Sequence, residues 1–258
     1  MKLRCEGLEV SYATNGSRDR VLHRISLETG PGEFLTILGP SGCGKTTFLR
    51  TVTGAIRPDR GRIQLLPEFP GESVHPLLIR QEHALFPWLT AMDNACFGLA
   101  MQRVPRPERE RRAAELFVRY GLQGRERAWP HQLSLGMKQR VALIRGFLSD
   151  PPMLLMDEPF AALDVPSRLM LQQELIAQWE SREHVAVIFV THDVEEALLL
   201  SDRVLIFSGR PASVLAEIPV HLVRPRTAAV TLAPEFLELK ARILEYLGVA
   251  LEGAPLRV

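Results

Sequence analysis

GEFLTILGPSGCGKTTFLRTVTG, residues 32–54, joins a short apolar run, a turn carrying three glycines and a helical pattern, in that order. Gly32 to Leu38 reads as a buried strand. A helix opens at Lys45 and stops at Gly54, where helices favour a left-handed residue. Between the two, GPSGCGKT (Gly39, Pro40, Ser41, Gly42, Cys43, Gly44, Lys45, Thr46) matches G-x-x-x-x-G-K-[ST]. Strand before and helix after is the context that gives this string meaning. The glycines let successive backbone N–H groups turn inward as a nest for phosphate oxygens. Lys45 adds a point charge for β- and γ-phosphates, and the helix N-terminus adds partial positive charge. Thr46 offers a hydroxyl to Mg²⁺.

Downstream, MLLMDEP (Met153–Pro159) is an apolar strand ending in two acids. Asp157 can hold Mg²⁺ through water, and Glu158 can orient and deprotonate an attacking water. A helix from about Pro166 to Glu180 follows, then the strand VAVIFV (185–190), the helix VEEALLL (194–200) and the strand RVLIF (203–207). Asp193 with Glu196 makes a capping box for the 194–200 helix. Strands alternating with helices predict an α/β fold with a parallel sheet covered on both faces. From about Leu85 to Asp150 the pattern is helical only, and predicts an inserted subdomain. Within it, Ala113, Leu116, Phe117 and Tyr120 form one stripe, with Pro107 near the start and Gly121 past the end. A second helix opens at Ser134 as N-cap and buries Val141, Ile144, Phe147 and Leu148. The run RVPRPERERR (103–112) reads as the solvated face of its helix.

Composition bounds the partners. The chain of 258 residues is 46% hydrophobic and 24% charged, as in ordinary globular proteins, and its formal net charge is +1. So small a charge argues against a nucleic-acid partner held by electrostatics. Cys5, Cys43 and Cys96 are odd in number and without metal-type spacing, which points to a reducing compartment. The opening MKLRCEGLEVSY lacks the apolar core of a signal peptide, and no apolar run is long enough to span a bilayer.

Several protein classes share a phosphate loop. A GTPase would show N-K-x-D and D-x-x-G, and neither occurs. Nothing identifies the acceptor lid of a small-molecule kinase. Instead LLIRQEHALFPWLT, with Gln81 ending an apolar run, lies between loop and carboxylates, and AALD (161–164) and FVTHD (189–193) follow them. With LSLGM (133–137), these motifs resemble the ATP-binding subunit of an ABC transporter, over nearly the whole chain from Tyr12 to about Tyr246.

That resemblance implies a RecA-like P-loop ATPase core (1–84 and 151–215), a helical insert bearing the signature motif (85–150) and a C-terminal extension (216–258). It implies ATP and Mg²⁺ as ligands, with adenine stacked on Tyr12 and the loop, including Thr47, around the phosphates. Thr46, Gln81 and Asp157 would serve the metal. Glu158, Gln81 and the switch histidine His192 would serve hydrolysis, with Asp164 in the D-loop. Two copies would pair head to tail, so that Ser134 and the Gly136 N–H reach ATP on the partner's loop. The family pattern has glycine where Leu135 stands; its N–H survives, and a helical φ tolerates its side chain. Ala161 stands where serine is common. Phe86, Pro87 and Trp88 fall where the family receives a coupling helix from the transmembrane permease. The runs Phe86–Asn94, 208–226 and 233–247 are most similar to importers of nitrate, taurine and aliphatic sulfonates. Such an importer also works with a solute-binding protein, and its ATPase sits peripherally on the cytoplasmic face of the inner membrane. The alternatives are an ABC ATPase without transport, and an ATP-binding module whose hydrolysis Leu135 weakens.

Overall fold

The computed structural model describes residues 1–14, 17–67, 75–80, 84–161, 163–182 and 184–248. Its strands are β1 (Lys2–Thr14), β2 (Ser17–Thr29), β3 (Phe34–Leu38), β4 (Arg60–Leu66), β5 (Leu77–Ile79), β6 (Met153–Asp157), β7 (Ala186–Thr191), β8 (Arg203–Phe207) and β9 (Val214–Pro219). Its α-helices are α1 (Lys45–Val52), α2 (Ala91–Ala95), α3 (Phe97–Met101), α4 (Arg106–Arg119), α5 (Leu135–Leu148), α6 (Val165–Glu180), α7 (Val194–Leu200) and α8 (Pro234–Tyr246). The chain forms two compact units, one from Met1–Val74 with Ala186–Val258 and one from His75–Val185. The second unit reaches beyond the helical stretch 85–150, because β5, β6 and α6 gather with those helices.

In the first unit β3 runs parallel to β7 on one side and to β8 on the other, and β9 adds antiparallel to β8. Every residue of β3 and of β7 is buried, which is why both read as near-continuous apolar runs rather than alternating ones. The register sets Leu38 opposite Thr191. The chain therefore leaves both strands at the same sheet edge, with Gly39 beside His192. In open α/β sheets that carboxyl edge is where ligands bind.

A separate antiparallel sheet, in the order β2-β1-β4, belongs to the same unit. Its apolar alternation is interrupted, so a simple period of two does not announce it. Leu3 and Cys5 are buried, then Leu8 and Val10, so the parity changes between Cys5 and Leu8. Gly7, at φ 56°, lies inside that bulge and turns the following residues to the other register.

The amphipathic helix read at 233–247 is α8. Phe236 and Ile243 are fully buried in a cluster with Leu198, Val204 and Ile218, and Leu239 and Leu247 flank it. Arginines fasten the segment before α8 to the end of α7. Arg226 Nη1 donates to the carbonyls of Leu198 (2.9 Å) and Ser201 (2.6 Å), and Arg224 Nη2 to that of Leu200 (2.7 Å). Cations at a helix C-terminus satisfy carbonyls that the helix itself leaves open.

In the second unit β5 pairs parallel with β6, Ile79 opposite Met156. Val141, Ile144 and Phe147 of α5 are fully buried, with Leu148 beside them. A Cβ on Gly146 would lie 2.6 Å from Ile79 Cδ1, so α5 packs closely over β5 and a larger residue there would displace the Ile79 side chain. The basic run at 103–112 is a solvated face whose charge is partly offset by Arg106–Glu110, Arg112–Glu108 and Arg111–Glu115 pairs along α4. No helix among the described residues is long and apolar enough to cross a membrane.

Candidate functional site

The phosphate loop is built by the first unit. Gly42 and Gly44 take φ 74° and 129°, and a Cβ on Gly44 would meet Val21 Cγ1 at 2.8 Å and Leu22 Cδ2 at 3.0 Å. Only glycine allows the loop to turn there against β2. Gly44 is also the N-cap of α1, so no side chain caps that helix end. Lys45 is 4% exposed and folds across its own loop, donating to the carbonyls of Gly39 (2.7 Å) and Pro40 (3.0 Å). These carbonyls hold the ammonium at the mouth of the nest. An anion there would meet inward-turned amides, a cation and a helix N-terminus together.

Tyr12, on β1, lies against the same feature. Its hydroxyl is 3.2 Å from Thr47 Oγ1, while the residue as a whole stays exposed. A ring anchored by its hydroxyl and open on its face is suited to stacking with a planar base. His192 is exposed, directly after β7 and next to the loop's first residue by the register already given. At the start of α7 the Asp193 half of the expected capping box forms, and Thr191 links the Asp193 N–H to the Glu196 carboxylate. Asp193 Oδ1 accepts from the N–H groups of Glu195 (2.9 Å) and Glu196 (3.2 Å), and the hydroxyl of Thr191 is drawn in as well.

The second unit carries the remaining candidates. Asp157 is buried at the end of β6. Glu158 follows at φ 46°, a left-handed conformation that a side chain bearing Cβ rarely adopts. Such strain persists where surrounding structure imposes it, commonly at functional positions. Ser134 is the N-cap of α5, its Oγ accepting from the Met137 N–H at 3.3 Å. Leu135 is the first helical residue and 55% exposed, so its side chain points away from the core. Gly136 has no left-handed φ, but a Cβ there would approach Leu163 Cδ2 to 3.1 Å. Asp164 caps α6 by accepting from the Ser167 N–H (2.9 Å), and that bond holds its carboxyl below the usual carboxylate range. Gln81 lies outside the described residues.

The segment after Gln81 divides in two. Phe86 packs on Phe97, with ring centroids 4.5 Å apart, and the Arg145 guanidinium lies 5.8 Å from its centre. Burial lowers the Arg145 pKa below its usual value. Trp88 is instead 68% exposed. The loop between them is held by Asn94, a fully buried residue whose role was not read from the sequence. Its Oδ1 accepts from the Phe86 N–H (2.8 Å), and its Nδ2 faces the carbonyls of Phe86, Leu89 and Thr90 at 3.0–3.1 Å. An asparagine in the first turn of a helix, four residues after the threonine cap and directly after an aspartate, was the available signal.

Both implied ligands suit these residues. The glycine-lined nest and uncapped α1 terminus match a nucleotide phosphate. Thr46 in the first unit and Asp157 in the second each carry a hard oxygen of the kind Mg²⁺ takes, an ion that usually keeps waters and phosphate oxygens rather than a full protein cage. No group of three or more His, Cys, Asp or Glu fit for a metal occurs among the described residues.

Residues 22–161 match the family model described as ABC transporter. An uncharacterized ABC transporter ATP-binding protein of Methanocaldococcus jannaschii is 43% identical over 248 residues, covering 96% of this chain and 91% of that protein. The aliphatic sulfonates import ATP-binding protein SsuB of Bacillus subtilis is 36% identical over 237 residues, covering 92% and 90%. The taurine import ATP-binding protein TauB of Pseudomonas aeruginosa is 36% identical over 258 residues, covering 96% and 97%. Among solved structures, the dimeric post-hydrolysis state of the ATP-binding cassette MJ0796 bound to ADP and Pi superimposes with a TM-score of 0.75 at 26% identity. It covers 86% of this chain and 100% of that one.

Proposed function

The chain belongs to the ABC transporter family of ATP-binding proteins, and we propose that it is the energy-coupling ATPase of an importer for a small oxyanion-bearing solute such as nitrate, taurine or an alkyl sulfonate. The names of the SsuB and TauB relatives support the importer reading and the solute class. Two copies pair head to tail around two ATP, a reading supported by the dimeric form of the structural neighbour.

Each residue has a part in this reading. The amides of Gly39 to Thr46 and the Lys45 ammonium bind the β- and γ-phosphates, with Thr47 alongside, and Tyr12 stacks on the base. Thr46, Asp157 and Gln81 hold Mg²⁺, which when bound neutralises charge on the phosphate oxygens. Glu158 orients and deprotonates water, and His192 and Gln81 contact the reacting end of the nucleotide. Ser134 and the Gly136 N–H reach the partner's γ-phosphate, and Asp164 lies at the subunit contact. ATP binding favours the closed pair and hydrolysis reopens it, so the nucleotide biases two states of the membrane subunits. The protein works on the cytoplasmic face of the inner membrane, held by transmembrane permease subunits that receive solute from a binding protein. Nucleic acid has no part in it.

The observation that carries the coupling role is Trp88, a large aromatic left in solvent on a loop that Asn94 and Phe86 hold rigid. Isolated exposed residues are ordinary, but an exposed tryptophan on a braced loop fits a docking contact. Co-expression with the permease tests it. Trp88→Ala should lose the complex on affinity purification while binding ATP as the parent does. Undiminished co-purification would sink the docking role.

A further inference from the structure

His192 is held by a device that the family motifs do not describe. Strand β7 ends at Thr191, which is buried, and α7 begins at Val194. The Thr191 hydroxyl accepts the N–H of Asp193 at 3.1 Å and donates its proton to Glu196 Oε2 at 2.5 Å. One oxygen thus ties the residue before His192 to the residue after it. A hydroxyl has one proton and two lone pairs. Commitment of the proton to Glu196 turns a lone pair toward the Asp193 N–H. Glu196 is itself only 5% exposed, one turn into α7.

The helix carrying Glu196 is braced from behind. Lys240 Nζ of α8 donates to Glu195 Oε1 at 2.6 Å, and Leu198 of α7 joins the cluster with Phe236 and Ile243 of α8. Thr191 also stands opposite Leu38 in the β3–β7 register, immediately before the phosphate loop. The bridge is therefore anchored to the sheet on one side and to a braced helix on the other. His192, the residue it spans, has no such burial.

We propose that Thr191 and Glu196 are positioning residues for His192, setting the backbone from which its imidazole meets the nucleotide. This rests on the reading of His192 as a hydrolysis residue. A side chain acting on phosphate must be placed to within a fraction of an ångström to contribute fully. Loss of the bridge frees two backbone dihedrals at His192 without touching the nucleotide.

The test is histidine-ring proton–carbon NMR on the full chain, with the His192 signal assigned by its loss in His192→Ala. Thr191→Val keeps the shape and removes the hydroxyl. Its expected result is a displaced or split His192 signal with the other six histidines unmoved, seven being present in all. ATPase kcat should fall about tenfold with KM for ATP within about twofold, a change of about 1.4 kcal/mol in the barrier. Thr191→Ser should restore both, and Glu196→Met should reproduce the displacement. Thr191→Cys, with its much weaker hydrogen bonding, takes the place of valine if that variant does not fold. An unmoved His192 signal in the hydroxyl-less variants would overturn the proposal. A moved signal in Thr191→Val with none in Glu196→Met would remove Glu196 from it. Full ATPase activity in His192→Ala would defeat the hydrolysis reading alone, since the ring displacement does not depend on turnover.

Discussion

Two helix N-termini carry the phosphate-binding candidates, and they are made differently. Helix α1 opens with Gly44, which has no side chain to cap it, and its first residue, Lys45, is buried and held by two loop carbonyls. Helix α5 opens with Ser134, whose hydroxyl turns back on the Met137 N–H, and its first residue, Leu135, stands in solvent. Both ends offer amide groups and partial positive charge. The first has no side-chain cap and lies in a nest fixed by its own neighbours. The second satisfies one of its own donors and exposes the rest. A loop of the first kind is complete as folded, whereas an end of the second kind gains by meeting another surface.

The largest test of this contrast is association. Glu158→Gln should block hydrolysis, and light scattering with ATP and Mg²⁺ should then show the mass of a dimer. Lys45→Ala in the same background should remain monomeric, because ATP is lost from the loop before it can bridge to α5. A Glu158→Gln protein that stays monomeric with bound ATP would mean that a second copy alone does not complete the α5 end.

Smaller in effect, one added methyl group should separate the two sites. At Gly44 an alanine meets both a φ of 129° and Val21 at 2.8 Å, so Gly44→Ala should cost about 1–3 kcal/mol or more in urea unfolding. At Gly136 the only close neighbour is the flexible end of Leu163 at 3.1 Å, and helix propensity favours alanine by about 1 kcal/mol. Gly136→Ala should therefore unfold within about 0.5–1 kcal/mol of the parent. Equal losses at the two positions would contradict the difference drawn here. A comparably small effect belongs to Ser134→Ala. Its cap bond is exposed and, at 3.3 Å, long, so thermal unfolding should register a loss of about 0.5–1 kcal/mol.

The α/β core was legible because buried parallel strands read as near-continuous apolar runs, as in 153–156 and 186–190. The loop was legible because phosphate binding demands glycine at set positions. The antiparallel sheet of β1, β2 and β4 was not, since the bulge at Gly7 reverses the alternation that would have declared it. Strand β9 was missed for another reason: its residues are mostly half-buried or exposed, and only its pairing with β8 makes it a strand. Among the site residues, Tyr12 was singled out by family likeness, but its hydroxyl bond to Thr47 links residues 35 positions apart. Asn94 and Thr191 were given no role in the sequence reading, and both act on backbone groups whose placement only the folded chain fixes.

By itself the sequence determined the phosphate loop, the paired acids at the end of β6, the caps at Ser134 and Asp193, and the stripe that buries α8. Each depends on residues within a turn or two of one another, where covalent geometry sets what can meet. Tertiary structure alone decided that Gly39 and His192 leave the sheet side by side, that Trp88 remains in solvent while Phe86 does not, and that Lys45 folds onto its own carbonyls. Strand register, burial and the filling of a nest depend on which distant segments pack together. Local propensity does not carry that information, because the free energy that selects it comes from surfaces far apart in the chain.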